Sequence, residues 1–194
     1  LAELAHEEPE AHGLAGLMEL QASRSAARVD AQGRPVLLMA QDRGRWDRLL
    51  IRRGLAALER AGQLCQAQAR PLGAYGLQAA IAACHARATT AEATDWASIA
   101  ALYDALAQAL PSPVVELNRA VAVSMAFGPQ AGLEILEKLL DHPALKGYPW
   151  LPSARGDMLA RLGRHDEARA AFVHAASLTQ NAREKALLLA RAHG

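Results

Sequence analysis

The sequence has few of the features that mark secreted, membrane or nucleic-acid-binding chains. Its 194 residues include two cysteines and 4% aromatic residues, too few cysteines for a disulfide scaffold. No apolar run approaches the roughly 20 residues of a membrane span, and no basic segment followed by an apolar core marks a signal peptide. Lys and Arg total 21 against 20 for Asp and Glu, without the basic surplus of an autonomous nucleic-acid binder. We therefore expect a cytoplasmic chain that has no membrane partner.

The residues that are abundant favour helices. The chain is 52% hydrophobic, which excludes intrinsic disorder. Apolar residues recur mostly at helical spacing, and Ala, Leu, Arg, Glu and Gln are the strongest helix formers. The sequence predicts an all-α fold of antiparallel helix hairpins, with at most one short extended segment near 35–39. The first residue is Leu1 rather than Met, so we expect this to be a piece of a longer protein.

Turn and capping residues predict where the helices begin and end. Ser112 caps a helix whose first residue is Pro113, and Asn181 followed by Glu184 resembles a capping box. Thr94 or Asp95 caps another helix, and we expect residues 62–73 to form a loop or a frayed connection. The predicted helices near these signals cover 9–28, a helix after residue 42, 77–87, 96–110, 113–127, 130–141, 152–162, 165–178 and 182–192.

The second half of the sequence contains a repeat. Equivalent positions are separated by 34 and then 35 residues, a period typical of tetratricopeptide helix pairs. The three sets are Ile99, Leu133 and Ala168; Tyr103, Glu137 and Phe172; and Leu106, Leu140 and Ala175. The middle unit is degenerate, because Glu137 stands where an aromatic is expected, and a one-residue shift would put Leu136 there.

The repeat predicts the domain organisation. Residues 1–72 form an N-terminal helical subdomain or cap, and residues 73–194 form a short tetratricopeptide-like superhelix. One continuous domain over 1–194 is the alternative. Repeats of this kind present a surface to a partner and rarely catalyse reactions.

Several short strings together resemble a known family, and the resemblance covers nearly the whole chain. The strings are RVD at 28–30, QDRGRWD at 41–47, LQAAIAA at 77–83, TDW at 94–96, LYD at 102–104, PSPVV at 111–115 and LNRAVA at 117–122. Jointly they resemble the tetratricopeptide-like C-terminal extension of a group of extracytoplasmic-function (ECF) RNA polymerase sigma factors. Residues 73–76 depart from the family pattern, with GAYG where GPYQ is expected.

The resemblance implies a non-enzymatic regulatory domain in transcription initiation. Its partners would be the sigma domains of the parent chain, core RNA polymerase, or both. Promoter DNA would be reached only through the sigma domains, which this chain lacks. A module that senses a small ligand or a peptide is the alternative function.

Two sets of residues are candidates for partner contacts. The first is a basic patch, read either as a contact surface for an acidic face or phosphate or as a solvated face paired with Asp42 and Asp47. The second is a groove in which a buried Asn118 amide either bonds a neighbouring element or, with Arg119, holds a carboxylate. The patch comprises Arg43, Arg45, Arg48, Arg52 and Arg53, and the groove comprises Gln78, Tyr103, Asn118 and Arg119.

No residue pattern indicates an enzyme, a cofactor or a metal site. The sequence contains no HExxH, GxSxG or phosphate-binding glycine motif, and its histidines and cysteines lack zinc-ligand spacing. We interpret Trp46, Trp96 and Phe172 as structural anchors. The apolar segment 148–152 either caps a groove or tucks under the last repeat. Gly13, Gly16 and Gly54 fall inside predicted helices, where close helix packing is the expected reason for them.

Overall fold

A computed structural model describes residues 5–193, and this part of the chain contains nine α-helices and no β-strand. This confirms the predicted all-α fold built from helix hairpins. Leu1, which suggested a longer protein, lies outside the described residues. The helices are α1 Pro9–Ala22, α2 Arg48–Ala67, α3 Ala74–Arg87, α4 Trp96–Ala109, α5 Pro113–Phe127, α6 Pro129–Glu137, α7 Trp150–Arg161, α8 His165–Leu178 and α9 Ala182–Ala192.

The capping and turn residues predicted some helix ends correctly and others wrongly. The Ser112 hydroxyl accepts from Val114 N at 3.3 Å and Pro113 begins α5, as predicted. The predicted first helix to residue 28 was wrong, since α1 ends at Ala22. The expected loop over 62–73 was also wrong in part, because α2 continues to Ala67. Near 35–39 the chain makes only an isolated bridge between Val29 and Pro35, followed by a 3₁₀ turn over Leu38–Ala40.

The chain divides into two compact units, the first ending at Leu110 and the second beginning at Pro111. This differs from the boundary at residue 73 that the repeat suggested. The reason is that α3 packs against α1 and α2, and α4 packs against α3. In the second unit, each helix from α5 to α9 packs against the next one along the chain. None of the helices in the described part of the chain combines the length and the apolar character of a membrane span.

The second unit settles the register of the degenerate repeat. Leu136 is fully buried and Leu139 is 8% exposed, whereas Leu140 is 43% exposed. Glu137, the last residue of α6, is exposed as well. The one-residue shift is therefore confirmed, and Leu136 takes the place that the original alignment gave to Glu137. Phe172 fills the equivalent place in the last repeat, where it is 3% exposed.

Glycines allow the helices of the first unit to approach closely, as the sequence predicted. A Cβ placed on Gly13 of α1 would lie 2.6 Å from the backbone nitrogen of Gly76 in α3. A Cβ on Gly54 would lie 2.7 Å from Leu20 Cγ. Backbone and core side chains occupy these positions, so a methyl group there requires the helices to separate.

We predict that Gly13→Ala lowers the free energy of unfolding by about 2 kcal/mol, because overpacking outweighs the gain in helix propensity. The matched control is Gly62→Ala in α2, where an added Cβ has no atom within 4 Å. That substitution should raise stability by up to about 1 kcal/mol. Urea unfolding of the two variants measures both effects, and a gain in stability for Gly13→Ala would contradict the packing argument.

Candidate functional site

Arg43 is the centre of a buried polar cluster in the first unit. Its Nη1 donates to the carbonyls of His85 and of Ala88, the latter at 3.1 Å, and its Nη2 donates to Thr94 Oγ1 at 3.1 Å. The guanidinium also lies over the Trp46 ring, 4.7 Å from its centroid. Burial lowers the pKa of Arg43, against a raising effect of nearby Glu92. The side chain thus joins the 3₁₀ turn over Arg43–Arg45 to the end of α3 and to the connection before α4.

This burial corrects the predicted basic patch, since Arg43 is 8% exposed and cannot belong to a contact surface. The suggested pairing of the patch with acidic neighbours is wrong too. Asp42 accepts from Gly44 N at 2.8 Å, and Asp47 caps α2 by accepting from Leu49 N at 2.8 Å and Leu50 N at 3.1 Å. These carboxylates organise the backbone of the turn and of the helix start.

The other four arginines of the patch are exposed. Arg53 pairs with Glu19 of α1 at 2.6 Å, and Arg45 Nη1 lies 3.4 Å from the carbonyl of Val29. Within residues 5–193, Arg48 and Arg52 make no ion pair with a carboxylate. They lie one turn apart on α2, so their side chains share a face. The predicted basic patch is therefore reduced to Arg48 and Arg52, whose guanidinium groups are exposed near the start of α2 and have no carboxylate partner among the described residues.

The four groove candidates are divided between the units. Gln78 and Tyr103 lie on α3 and α4 of the first unit, whereas Asn118 and Arg119 lie on α5 of the second. Gln78 Nε2 donates to the carbonyl of Ala74 at 3.2 Å, and burial raises the pKa of Tyr103. Neither unit contains all four residues, so the candidate groove stays a prediction.

Asn118 does not occupy the buried position that the sequence suggested. It is exposed, and Val114, one turn before it, is 36% exposed. The buried residues of α5 are Val115, Leu117, Ala120, Ala122 and Ser124. The premise of a buried amide is therefore wrong, because α5 packs through a different face. The neighbouring Arg119 is engaged within the helix, with its Nε 3.0 Å and its Nη2 2.9 Å from Glu116 Oε2.

The three aromatic residues predicted to be anchors differ in burial. Trp46 and Phe172 are each 3% exposed. Phe172 packs against Gly156, where an added Cβ would lie 2.8 Å from the ring, and Arg191 covers its ring at 4.5 Å. Trp96 is only half-buried, and it meets the His85 ring edge-on with centroids 5.2 Å apart.

The second unit contains a cavity of about 830 Å³ between α7, α8 and the connection that leads from α6 to α7. Its volume is typical of sites that bind small molecules. Leu145, Leu151 and Ala171 are buried side chains that contribute to its apolar wall. Tyr148 and Pro152 also line it, so the apolar segment 148–152 borders this cavity.

The polar groups of this cavity are mostly basic. Lys146, Arg155, His142 and His174 line it, against one carboxylate, that of Asp141. His142 Nδ1 accepts from Ala144 N at 3.2 Å, so the neutral imidazole carries its hydrogen on Nε2. The cavity therefore combines an apolar wall with several hydrogen-bond donors, two of them permanently cationic.

Arg155 has a buried nitrogen that lacks a hydrogen-bond partner among the described residues. Its Nη2 is 4.0 Å from Glu167 Oε2, beyond hydrogen-bond distance. Glu167 is itself held by Arg164, whose Nε and Nη2 lie 2.7 Å from its two oxygens. The Nε of Arg155 is buried and lacks a hydrogen-bond partner in the described part of the chain. An unsatisfied buried donor of this kind costs roughly 1–3 kcal/mol.

Sequence reasoning missed the basic residues of this cavity. The available signal was the segment 141–149, where two prolines and a glycine interrupt the helical pattern. Gly147 has a φ of +81° there, a conformation that favours glycine. Such interruptions of a repeat are frequent sites of binding. Arg155 gave no separate signal, because it sits at an ordinary helical position of α7.

The rest of the described chain shows no metal-binding arrangement. In residues 5–193, no group of three His, Cys, Asp or Glu side chains is placed to hold an ion. The two cysteines are free thiols, and burial raises the pKa of each. Basic and apolar side chains thus provide the binding chemistry of the two candidate surfaces, the arginine face of α2 and the cavity.

The class of protein that this geometry defines is an all-α protein of stacked helix hairpins. A family of unknown function, DUF6596, matches residues 1–62. An uncharacterized protein of Rhizobium meliloti is 49% identical over 181 residues, which cover 93% of this chain and 41% of that protein. The chain thus spans less than half the length of this curated relative. No solved structure matches the chain significantly.

Proposed function

We propose that this chain is a regulatory protein-interaction domain of an ECF-type RNA polymerase sigma factor. The observation that carries the proposal is the joint occurrence of the family-like strings. Two of them meet in the fold, since Arg43 of the string at 41–47 donates to Thr94 of the string at 94–96, 51 residues along the chain. These two strings thus contribute to one structural centre, which supports a shared architecture with the sigma-factor extensions that they resemble.

Two further observations support this function. Stacked helix hairpins bind partners through their surfaces, and the second unit is built from such hairpins. The Rhizobium meliloti relative is matched over only 41% of its length, which leaves room for the two sigma domains that the proposal requires. Regulation would follow from a population shift, in which the domain binds one arrangement of the sigma domains better than another. Promoter DNA would be contacted by those domains alone.

The exposed pair Arg48 and Arg52 is the surface that we assign to this contact. Each carries a charge without a carboxylate partner in the described residues, and guanidinium groups bind carboxylates with two parallel hydrogen bonds. An acidic face on the sigma domains or on core RNA polymerase would complement them. Arg45 flanks the pair and would strengthen the same contact, whereas Arg53 is already held by Glu19.

Pull-down of this chain against the separated sigma domains of its parent and against core RNA polymerase tests the proposal. We predict that the wild-type chain is retained by one of them, and that the double variant Arg48→Glu, Arg52→Glu binds roughly tenfold more weakly or worse, because like charges then face each other. The control is Arg169→Glu, an exposed arginine of α8 outside the surface. Absence of wild-type binding would contradict the function, and equal binding by the double variant would contradict the surface.

A module that senses a ligand or peptide is the second candidate function, and the cavity of the second unit favours it. Its size and its mixture of apolar and cationic side chains fit a bound organic molecule. The two functions are compatible, because a ligand in the second unit could bias the partner contact. They rest on different residues and are tested separately.

A further inference from the structure

We infer that the cavity between α7, α8 and the α6–α7 connection binds a small organic acid, a molecule with one carboxylate on an aliphatic or aromatic body. This inference rests on the second candidate function, ligand sensing, and is independent of the sigma-factor proposal. Leu145, Leu151 and Tyr148 contribute an apolar wall for the body of the ligand. The roughly 830 Å³ volume accommodates a molecule of ordinary metabolite size.

The charge of the cavity selects an anion. Lys146 and Arg155 are cationic at neutral pH and oppose the single carboxylate of Asp141. Arg155 is available because its nearest carboxylate, Glu167, is occupied by two hydrogen bonds from Arg164. Its buried Nε has no partner within the described residues. The side chain as a whole is 26% exposed, and a carboxylate that pairs with its accessible guanidinium nitrogens would neutralise the charge.

His142 adds a neutral donor to the same wall. Its Nδ1 accepts the backbone hydrogen of Ala144, which leaves the Nε2 hydrogen for a second acceptor. A neutral donor adds a hydrogen bond without increasing the charge that must be compensated. The arrangement therefore favours a single carboxylate over a polyanion, because only two permanent cations are present and Asp141 repels additional negative charge.

Calorimetric titration of the full chain tests this inference, with octanoate and 3-phenylpropionate as the probes. We expect saturable binding of at least one acid, and at least tenfold weaker binding of the matching amide, which lacks the charge. Arg155→Met should weaken binding of the acid about tenfold or more, and Lys146→Gln by a smaller factor, since Lys146 is exposed. Arg169→Met, which removes an arginine of α8 outside the cavity wall, should bind as the wild type does.

Circular dichroism spectra and melting curves establish that the variants are folded. If Arg155→Met is unstable, the exposed substitution Lys146→Gln still tests whether a cavity cation contributes to acid binding. Acid and amide binding equally well, or acid binding unaffected by both cavity substitutions, would overturn the inference. A third probe is acetyl-Ala-Ala-Leu-Leu with a free carboxylate. If this peptide binds and neither small acid does, ligand sensing survives and the small-acid class is overturned. If none of the probes binds, both are overturned, and the pull-down with sigma domains is unaffected.

Discussion

Replacement of Arg43 by Met should lower the free energy of unfolding by about 4 kcal/mol, the largest effect that we expect from any single substitution here. Met retains most of the aliphatic volume but removes every donor. The carbonyls of His85 and Ala88 and the hydroxyl of Thr94 then lose their partner in a buried environment. Each buried hydrogen bond to a charged group contributes roughly 1.5–3 kcal/mol. Relief of the guanidinium desolvation cost offsets part of the summed loss.

The position of these acceptors increases the effect. His85 lies in the last turn of α3 and Ala88 immediately follows the helix, so their carbonyls belong to the negative end of the helix dipole. A cation placed there compensates several unpaired carbonyls at once. The Trp46 face adds a cation–π contact at 4.7 Å, which is worth about 2 kcal/mol when both groups are desolvated.

Two comparisons separate this role from a general effect of charge. Arg48→Met removes an exposed arginine five residues away and should change stability by less than about 0.5 kcal/mol. Arg43→Lys keeps the charge but loses the planar fork, and we expect it to recover only part of the loss. Urea unfolding followed by circular dichroism measures all three. A loss for Arg43→Met no larger than that for Arg48→Met would show that the buried hydrogen bonds are not stabilising.

The helices of the second unit were easier to predict than those of the first. The bounds of α8 and α9 agree with the predictions for 165–178 and 182–192. The start of α9 has a local signal, because Asn181 accepts from Arg183 N and Glu184 N. The end of α1 depends on contacts far along the chain instead. Ser23 is buried, its hydroxyl donates to Leu20 O, and its carbonyl accepts from Asp47 N. No local pattern in an alanine-rich segment reveals that contact.

The burial of single residues in the candidate site also could not be predicted from the local sequence. Arg43 and Arg45 flank Gly44 and have the same local surroundings in the sequence, yet one is buried and the other exposed. What separates them is the position of Trp46 and of the α3 end, which only the fold brings together. The cavity of the second unit is also a tertiary feature, since its walls come from two helices and an irregular connection. The helical class of the chain follows from composition and periodicity, whereas the residues available for binding follow from packing.

Acidification should destabilise the first unit through His85, which the fold holds in its neutral form. Burial, and to a smaller extent the charges of Arg24 and Arg43, together lower the pKa of His85 from 6.5 to about 4. Its Nδ1 is buried without a hydrogen-bond partner in the described residues, and its ring contacts Trp96. Protonation would place a third positive charge near the guanidinium groups of Arg24 and Arg43.

The direction of the pH effect follows from the two pKa values. Above pH 6.5 His85 is neutral in both the folded and the unfolded state, so its contribution is constant. As the pH falls below 6.5 the unfolded chain binds a proton and the folded chain does not, so stability falls. The loss continues until about pH 4, where the folded state is protonated too. The full loss is roughly 3 kcal/mol, and roughly 2 kcal/mol of it is reached by pH 5.

Urea unfolding at pH 7 and pH 5 measures this loss, with His85→Gln as the variant that cannot titrate. Gln has a similar volume to His. The quantity to compare is the difference in free energy of unfolding between the wild type and His85→Gln, which should change by roughly 2 kcal/mol in favour of the variant between pH 7 and pH 5. Arg24→Gln removes one of the two repelling charges and should reduce the shift without abolishing it, since burial is the main cause. If this difference stays constant between pH 7 and pH 5, His85 has the same pKa in the folded and unfolded states. Burial in the cluster would then not keep its imidazole neutral.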